Sequence, residues 1–168
     1  SDSKAVALPP EVKDIAGKYL FYPAQLWTHK NHQRIGEAIA ILKGSGHDIH
    51  AVFVGKDHGA GASLRRSIEA LGVADNIHFL GYVDDEMVPE LYRASMGLVM
   101  ASYFGPTNIP PLEALLLGVP VIASKQHTEQ LGDAAVLFDP DDADELASAI
   151  ESLSSPATRK KVAARGKA

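Results

Sequence analysis

Two segments of the chain carry residues whose chemistry suits a bound diphosphate. AQLWTHKNH, residues 24–32, contains Lys30, a compact cation with three N–H donors that suits a phosphate. YFGPTNIPPLEALLLGVPVIAS, residues 103–124, predicts a loop, a helix and a strand, and Pro110 and Pro111 suit the first turn of that helix. A helix N-terminus offers unpaired N–H groups and a partial positive charge to an anion. If the two segments face each other, the cation and the amides form a two-sided clamp for one diphosphate.

The second segment also carries a carboxylate, Glu113, which is predicted to lie in or next to the first turn of its helix. A carboxylate beside a diphosphate clamp repels phosphate, so its natural partner is the hydroxyl pair of a ribose, as in nucleotide-binding sites of doubly wound sheets. Each residue alone is explained without a ligand. Glu113 would stabilise its helix by ~0.3–1 kcal/mol through the helix dipole, and Lys30 would be a solvated charge. His29, His32 and Trp27 are likewise interpreted as surface or packing residues.

A sheet must position both segments, because each follows a short apolar run. Apolar residues at helical spacing, such as Leu64, Ile68 and Leu71, lie between these runs. The alternation predicts an α/β fold: a Rossmann-like, doubly wound, parallel six-stranded sheet with helices on both faces. Its ligand crevice is expected beyond the carboxyl ends of the strands, where the loops after the first and fourth strands lie. The predicted strands span residues 19–23, 49–55, 77–81, 97–102, 120–124 and 135–139.

Composition limits the class of protein. The chain has 168 residues, of which 46% are hydrophobic and 22% charged, as in an ordinary globular domain. A net charge of −5 gives no electrostatic footprint for nucleic acid, and no apolar run approaches the ~20 residues of a membrane span. The lack of cysteine excludes disulfides and favours a cytoplasmic location, and the sequence shows no metal-ligand spacing. Residues 1–17 are interpreted as a linker and residues 18–168 as the domain, a piece of a longer protein.

The usual phosphate-binding fingerprints are absent from the sequence. No G-x-G-x-x-G follows the first strand, and no G-x-x-x-x-G-K-[ST] occurs anywhere. GKDHGAGAS, residues 55–63, is rich in glycine, but it follows the second strand and its glycine spacing differs. We interpret it as a flexible turn, with phosphate contact as the minority alternative. A nicotinamide dehydrogenase and a P-loop enzyme are therefore weak interpretations.

From about Lys18 to Leu153, the chain resembles the C-terminal, nucleotide-sugar-binding domain of group 1 glycosyltransferases, which are retaining enzymes of the GT-B type. LVMASYFGPTNIPPLEALLLGVPVIAS is similar to the family signature "v.PS..E.fG.p.lEA...G.PVias". IHFLGYVDDEMVPELYRAS is similar to the family segment "v.f.G.v....l..ly..a". IHAVFVG and TEQLGDAAVLFDPDDADELASAI resemble further segments in the same order, and several ordered segments are more specific than any one motif.

The resemblance implies how the donor would be held after the fourth strand. Glu113 is similar to the second glutamate of the family's E-x7-E pattern, which contacts the nucleotide ribose. The first glutamate usually contacts the transferred sugar, and its position here is Gly105. A remodelled loop is therefore expected, with Thr107, Asn108 and Ile109 supplying hydrogen bonds.

The loop after the first strand also departs from the family pattern. The family usually places an Arg and a Lys on the diphosphate, in a pattern like "GR....KG", and the similar positions here are Gln25 and Lys30. One cation instead of two predicts weaker diphosphate binding, unless His29 or His32 helps. The resemblance places the base of the nucleotide by the loop that contains Tyr82, held largely by main-chain contacts.

By this resemblance, the full enzyme transfers a sugar from a UDP- or GDP-linked donor to an acceptor hydroxyl with retention, in polysaccharide or lipopolysaccharide synthesis. No catalytic residue is assigned, and no cofactor, metal or nucleic acid is implied. An acceptor-binding domain would precede this chain, any membrane association would belong to the full-length enzyme, and the isolated domain is expected to turn over little. Three alternatives stay open: a nucleotide-sugar epimerase of the same architecture, a non-catalytic nucleotide-sugar-binding module, and a flavodoxin-like regulator or flavin protein.

Overall fold

The computed structural model describes residues 6–103 and 109–166. Its strands are β1 Tyr19–Pro23, β2 His50–Val54, β3 Ile77–Gly81, β4 Gly97–Met100, β5 Val121–Ser124 and β6 Ala135–Phe138. They form one sheet in the order β3-β2-β1-β4-β5-β6, and every neighbouring pair is parallel. Each strand begins and ends within two residues of an apolar run that predicted it, which confirms the doubly wound α/β fold.

The helices in the described part of the chain connect these strands and cover the sheet. They are α1 Pro10–Lys13, α2 His32–Gly44, α3 Gly61–Ala70, α4 Val88–Ala94, α5 Ile109–Leu116, α6 Thr128–Leu131, α7 Ala143–Ser152 and α8 Pro156–Gly166. A 3₁₀ turn, Thr28–Lys30, precedes α2, and another, Lys125–His127, precedes α6.

Each face of the sheet has its own apolar core. In β1, Leu20 and Tyr22 belong to the core shared with α2, α3, α7 and α8. Tyr19 and Phe21 belong to the core shared with α1, α4, α5 and α6. Successive side chains of a strand point to opposite faces, so a strand covered on both faces must be apolar at every position. This explains why the strands appear in the sequence as continuous apolar runs.

The strand order reverses between β1 and β4, and this reversal creates a crevice. The helix after β1, α2, buries Ile35 and Ile39 in one core. The helix after β4, α5, buries Ala114 in the core on the opposite face. The two chain segments therefore diverge as they leave neighbouring strands, and the space between them is where doubly wound sheets bind ligands.

Part of the segment predicted to be a linker is folded onto the sheet. Residues 10–13 form α1, and Val12 and Ile15 are buried in the same core as Phe21. Two apolar residues three positions apart are too short a pattern to predict a helix, so their burial was not visible in the sequence.

Candidate functional site

A cleft of about 400 Å³ lies at the carboxyl ends of β1 and β4. Lys30 and Gln25 enter it from the loop after β1, and Ser102 enters it from the segment after β4. The structure therefore brings Gln25 and Lys30, two of the predicted site residues, together at the expected crevice. The described lining is Tyr22, Pro23, Ala24, Gln25, Trp27, His29, Lys30, Met100 and Ser102.

Asn31 anchors the loop that carries Lys30. Its backbone is left-handed, with a φ of 62°, and its side chain is buried. Asn is one of the few residues with a side chain that adopts this conformation readily. The Nδ2 group donates to the carbonyl oxygens of Ala101, at 3.1 Å, and Pro140, at 3.0 Å. One amide thus ties the loop after β1 to the segments after β4 and β6.

Two further hydrogen bonds fix the backbone on either side of the Lys30 α-carbon. The Tyr22 hydroxyl donates to the carbonyl of Lys30, at 2.8 Å. The backbone N–H of Tyr103 donates to the carbonyl of His29, at 3.0 Å. Because both carbonyls point into the protein, the loop presents the Lys30 side chain to the cleft from a fixed backbone.

The Lys30 ammonium is available to an anion. Within residues 6–103 and 109–166, it forms no ion pair with a carboxylate. Its charge reaches two nearby histidines: burial is the main cause that lowers the pKa of His127 and of His32, and Lys30 adds to both effects. The cleft therefore carries one positive charge that the described residues leave uncompensated.

Ser102 and His127 line or support the cleft, and neither was predicted as a site residue. The Ser102 hydroxyl and His127 Nε2 share a hydrogen bond of 3.2 Å, and both residues are buried. The Ser124 hydroxyl donates to the Ser102 carbonyl at 2.8 Å, which holds Ser102 in place. Ser102 closes a run that was interpreted only as a strand, and His127 stands in no spacing pattern that a sequence could reveal.

Of the two histidines named as a possible second cation, His32 is excluded. His32 is 3% exposed, and burial lowers its pKa to about 4, so the ring is neutral at pH 7. Its Nε2–H donates to the carbonyl of Ala24 at 3.2 Å, so the ring supports the loop from inside. His29 lines the cleft with Lys30. A buried neutral ring brings no charge, so His32 is removed as an alternative source of the second charge.

Gln25 and Trp27 form one side of the cleft. Trp27 Nε1 donates to Gln25 Oε1 at 3.1 Å, so the Gln25 amide is engaged with its neighbour. The Trp27 ring stacks on the ring of His58, with centroids 4.3 Å apart and planes 2° apart. Trp27 is still 41% exposed, so it is a wall residue more than the packing residue that the sequence suggested.

The glycine-rich turn after β2 satisfies its own amides. The backbone N–H groups of Gly59 and Gly61 donate to Asp57 Oδ1, at 2.8 and 2.9 Å. The bond from Gly61 and then that from Gly59 lower the pKa of Asp57. These two amides are therefore already bound to a carboxylate of the chain, which agrees with the interpretation of this segment as a turn.

Glu113 lies in α5, the helix that follows β4. It is the fifth residue of the helix, directly after the first turn, which agrees with the expectation that it lies in or next to that turn. The side chain is half-buried, and burial, with Asp85 as the smaller cause, raises the pKa of Glu113. Lys30 and Glu113 thus follow two paired strands, β1 and β4, at the same edge of the sheet.

The remaining predicted residues lie apart from this cleft or outside the described chain. Tyr82 is 70% exposed and lines a separate hollow of about 390 Å³ near the end of β3. Gly105, Thr107 and Asn108 lie outside the described residues, and of Ile109 only the backbone, the first residue of α5, is described.

Two general features of the described chain bear on function. No cluster of three or more histidine, cysteine or acidic residues that could hold a metal is found in residues 6–103 and 109–166. Over the same residues, every helix is too short or too polar to cross a bilayer.

The sequence matches the family described as "Glycosyl transferases group 1" over residues 9–168. O-antigen chain mannosyltransferase B of Escherichia coli is 40% identical over 93 residues, 54% of this chain and 24% of that protein. Mannosylfructose-phosphate synthase of Agrobacterium fabrum is 31% identical over 87 residues, 49% of this chain and 19% of that protein. The matched regions cover a quarter or less of the length of these two relatives.

Solved structures agree with the sequence comparison. The C-terminal domain of a group 1 family glycosyl transferase, LpcC of Francisella tularensis, superposes with a TM-score of 0.78 at 27% identity, over 92% of this chain and 85% of that one. HepE of Anabaena, solved in complex with UDP-glucose, superposes with a TM-score of 0.78 at 22% identity, over 96% of this chain and 48% of that one.

Proposed function

This chain belongs to the group 1 glycosyl transferases, and from that membership we propose that it binds the nucleotide-sugar donor of a retaining hexosyl transfer to an acceptor hydroxyl. One observation carries the proposal: the Lys30 ammonium lies, without a carboxylate partner in the described chain, in the crevice between β1 and β4. A diphosphate is the anionic part of such a donor, and Lys30 would bind it there.

The related proteins support a donor of this class. HepE has been solved with UDP-glucose, and the Escherichia coli relative is a mannosyltransferase of O-antigen chains. A UDP- or GDP-linked hexose and a role in polysaccharide or lipopolysaccharide synthesis are therefore the proposed donor class and pathway class. The fold resembles a C-terminal domain, so the acceptor would bind a domain that precedes this one in the full-length enzyme.

The chemistry assigned to this chain is electrostatic. As the sugar leaves, negative charge develops on the diphosphate, and a fixed cation that is already in place stabilises that charge without reorganisation. Lys30 would do this, and the hydrogen bonds to the carbonyls of His29 and Lys30 hold its backbone ready. The proposal needs no metal and no cofactor, and it names no catalytic base.

The rest of the donor would extend towards α5 and β3. Glu113 is proposed to accept from the ribose hydroxyls, and the base is proposed to lie near Tyr82, at the carboxyl end of β3. Gly105, Thr107, Asn108 and Ile109 remain predictions for the contacts to the sugar. Because the acceptor would bind elsewhere, we expect this chain to bind donor and to transfer little sugar by itself. Normal turnover by this chain in a radiolabelled transfer assay would contradict that.

A non-catalytic binding module is the second candidate function, and the state of Gln25 favours it. Gln25 stands where the family usually has an Arg, and because its amide is neutral it brings no second charge to the diphosphate. The amide oxygen also accepts from Trp27. Measuring donor hydrolysis by the full-length protein separates the two candidates, since a binding module hydrolyses none.

The test of the proposed function compares nucleotides and two variants of the cleft. A thermal-shift panel of UDP, GDP and ADP names the base, because a ligand that binds only the folded state raises Tm. Calorimetry of Lys30→Ala should then show about tenfold or more weaker binding of the nucleoside diphosphate, with little change for the nucleoside, since a charge-assisted hydrogen bond is worth about 1.5–3 kcal/mol. Lys160→Ala, which removes an exposed lysine of α8, is the matched control.

Glu113→Gln gives the complementary result. This substitution should lower the affinity for the nucleoside and for the nucleoside diphosphate by similar factors, because both ligands carry the ribose. Equal losses of the two ligands in Lys30→Ala, or unchanged affinity in Glu113→Gln, would remove the assigned roles.

A further inference from the structure

A second cavity, of about 380 Å³, adjoins the cleft and shares Trp27 with it. It lies between the start of α2 and the start of α3, and we call it the α2–α3 cavity. Lys30 and Gln25 line the first cleft and not this one. The polar side chains that matter here belong to Thr28, Gln33, Arg34, Glu37 and Ser63.

The central polar groups of the α2–α3 cavity are already oriented. Arg34 Nη1 donates to Glu37 Oε2 at 2.8 Å, and Arg34 Nη2 donates to the Tyr103 hydroxyl at 3.1 Å. Arg34 Nε donates to the carbonyl of Pro140 at 2.8 Å, and Gln33 Nε2 donates to Glu37 Oε1 at 3.3 Å. A guanidinium has five N–H donors and a carboxylate about four acceptor positions, so Arg34 and Glu37 both keep capacity for a ligand. Because these side chains are already held in place, less conformational entropy is lost when a ligand binds them.

The lining also selects against charged and purely apolar ligands. Arg34 and Glu37 form an ion pair and are 22% and 26% exposed, and His32 is buried with a pKa of about 4. An anion would meet the Glu37 carboxylate, and a cation would meet the Arg34 guanidinium. An apolar ligand would leave their remaining donors and acceptors without partners, which costs about 1–3 kcal/mol for each group. An uncharged ligand with many hydroxyl groups can accept from the Arg34 guanidinium and donate to the Glu37 carboxylate at the same time.

Trp27 supplies the apolar part of such a site. Its ring is held parallel to the ring of His58 and contacts the ring of His29, with centroids 6.2 Å apart, and 41% of the residue stays exposed. A pyranose has a rim of hydroxyl groups and a face of C–H groups, and an aromatic ring packs against such a face while polar groups bind the rim. A cavity of a few hundred Å³ with an aromatic wall and a few placed polar groups is the usual form of a small-ligand site.

We propose that the α2–α3 cavity binds one hexopyranose unit of a saccharide, beside the cleft and separately from the nucleotide. The binding site stands on the described residues alone. That the saccharide belongs to the product chain of the transfer rests on the proposed function.

The chain carries its own reporter for this site, because Trp27 is its single tryptophan. Titration of the whole 168-residue chain with methyl mannopyranoside, methyl glucopyranoside and mannobiose should give a saturable change in tryptophan emission, at concentrations up to about 50 mM for a site of millimolar affinity. Glycerol at the same concentrations is the control for a solvent effect. UDP and GDP are titrated separately by calorimetry.

Three variants locate the saccharide. Ser63→Leu fills the cavity from an exposed position on α3, and Glu37→Gln removes the carboxylate while keeping the shape of the side chain. Each substitution should lower the affinity for the saccharide about tenfold. Glu69→Gln, at an exposed position on α3 outside the cavity, is the matched control and should bind as the parent chain does. Equal Tm values for Ser63→Leu and the parent chain show that the cavity variant is folded.

The possible results separate this inference from the proposed function. Saccharide binding that is lost in Ser63→Leu and kept in Lys30→Ala supports the site, whether or not a nucleotide binds. Nucleotide binding without any saccharide response overturns the site and leaves the proposed function standing. A saccharide response that Lys30→Ala removes and Ser63→Leu does not would place the sugar in the first cleft, and it would also overturn the inference.

Discussion

The loops that leave β1 and β2 lie side by side and are anchored in opposite ways. The backbone N–H of Leu26, in the first loop, donates to the carbonyl of Lys56, in the second, at 2.9 Å. In the loop after β1, the Asn31 amide donates outward, to carbonyls of Ala101 and Pro140. In the loop after β2, the Asp57 carboxylate accepts inward, from amides of its own loop.

The difference shows which property makes a loop able to bind an anion. The loop after β2 has the glycines, but its carboxylate uses the amides that they expose. The loop after β1 has no glycine, but its anchor is a neutral donor that adds no negative charge beside Lys30. Free donors and uncompensated positive charge, and not glycine content, distinguish the two.

Exchanging the anchor chemistry is the strongest way to break this comparison. Asn31→Asp keeps the size of the side chain but turns an acceptor towards two carbonyl oxygens at a position that is 7% exposed. We expect the free energy of unfolding to fall by about 3 kcal/mol, because two buried carbonyls lose their donor and a charge is buried beside them. Urea denaturation at pH 7.5 measures this, and calorimetry should show weaker binding of the nucleoside diphosphate as well.

Asn31→Gly is the control for that variant. Glycine adopts a positive φ without strain, so this variant loses the buried side chain and its two hydrogen bonds but buries no charge, and it should be less destabilised than Asn31→Asp. Equal stability of the two variants would show that a carboxylate at position 31 is no worse than the loss of the side chain. The proposed difference between the anchors of the two loops would then be wrong.

A pH titration sharpens the comparison, because His32 directly follows the loop after β1 and His58 lies in the loop after β2. His32 has a pKa of about 4 in the folded protein because it is buried, against 6.5 in the unfolded chain. Between these two pH values the unfolded chain binds more protons than the folded protein. The contribution of His32 to the free energy of unfolding is therefore fully present above about pH 6.5 and is lost as the pH falls towards 4. For His32 alone, the loss at pH 5 is about 2 kcal/mol relative to pH 7.5.

Substitution of each histidine tests that assignment. His32→Gln should make the stability difference between pH 7.5 and pH 5 smaller by about 2 kcal/mol, although the variant is less stable at both pH values. His58→Gln, at an exposed position of the loop after β2, is the matched control and should keep the difference of the parent chain. An unchanged difference in His32→Gln would show that other groups cause the acid sensitivity.

The sequence predicted the sheet well because the sheet is encoded locally. Each strand is a short run of residues that are apolar at every position, and the two covered faces of β1, with Leu20 on one side and Phe21 on the other, require that pattern. The crevice followed from the strand order, so Lys30 was assigned to the right edge of the sheet. Two prolines mark a helix start only approximately, so the sequence placed Glu113 in or next to the first turn, and the structure has it as the fifth residue of α5.

The features that the sequence did not predict depend on long-range contacts. Asn31 contacts Ala101 and Pro140, which are 70 and 109 residues away in the sequence. The residues next to Asn31 in the sequence do not predict these contacts. His32 was interpreted as a residue at the surface or behind the site, and the structure shows it buried against the rings of Tyr22 and Phe53. The role of Asp57 was more accessible, since Asp side chains commonly accept from backbone N–H groups a few residues ahead in turns.

The smallest expected effect belongs to the reverse exchange, Asp57→Asn. The Asp57 side chain lies in an exposed loop, and an Asn oxygen can still accept from the amides of Gly59 and Gly61, so we expect a much smaller loss of Tm than in Asn31→Asp. Affinity for the nucleoside diphosphate should stay within about twofold, because the amides after β2 are not part of the proposed site. Calorimetry and thermal unfolding check both points. Tighter diphosphate binding by about tenfold would mean that Asp57 competes with the ligand for these amides, and the glycine-rich loop would then belong to the anion site after all.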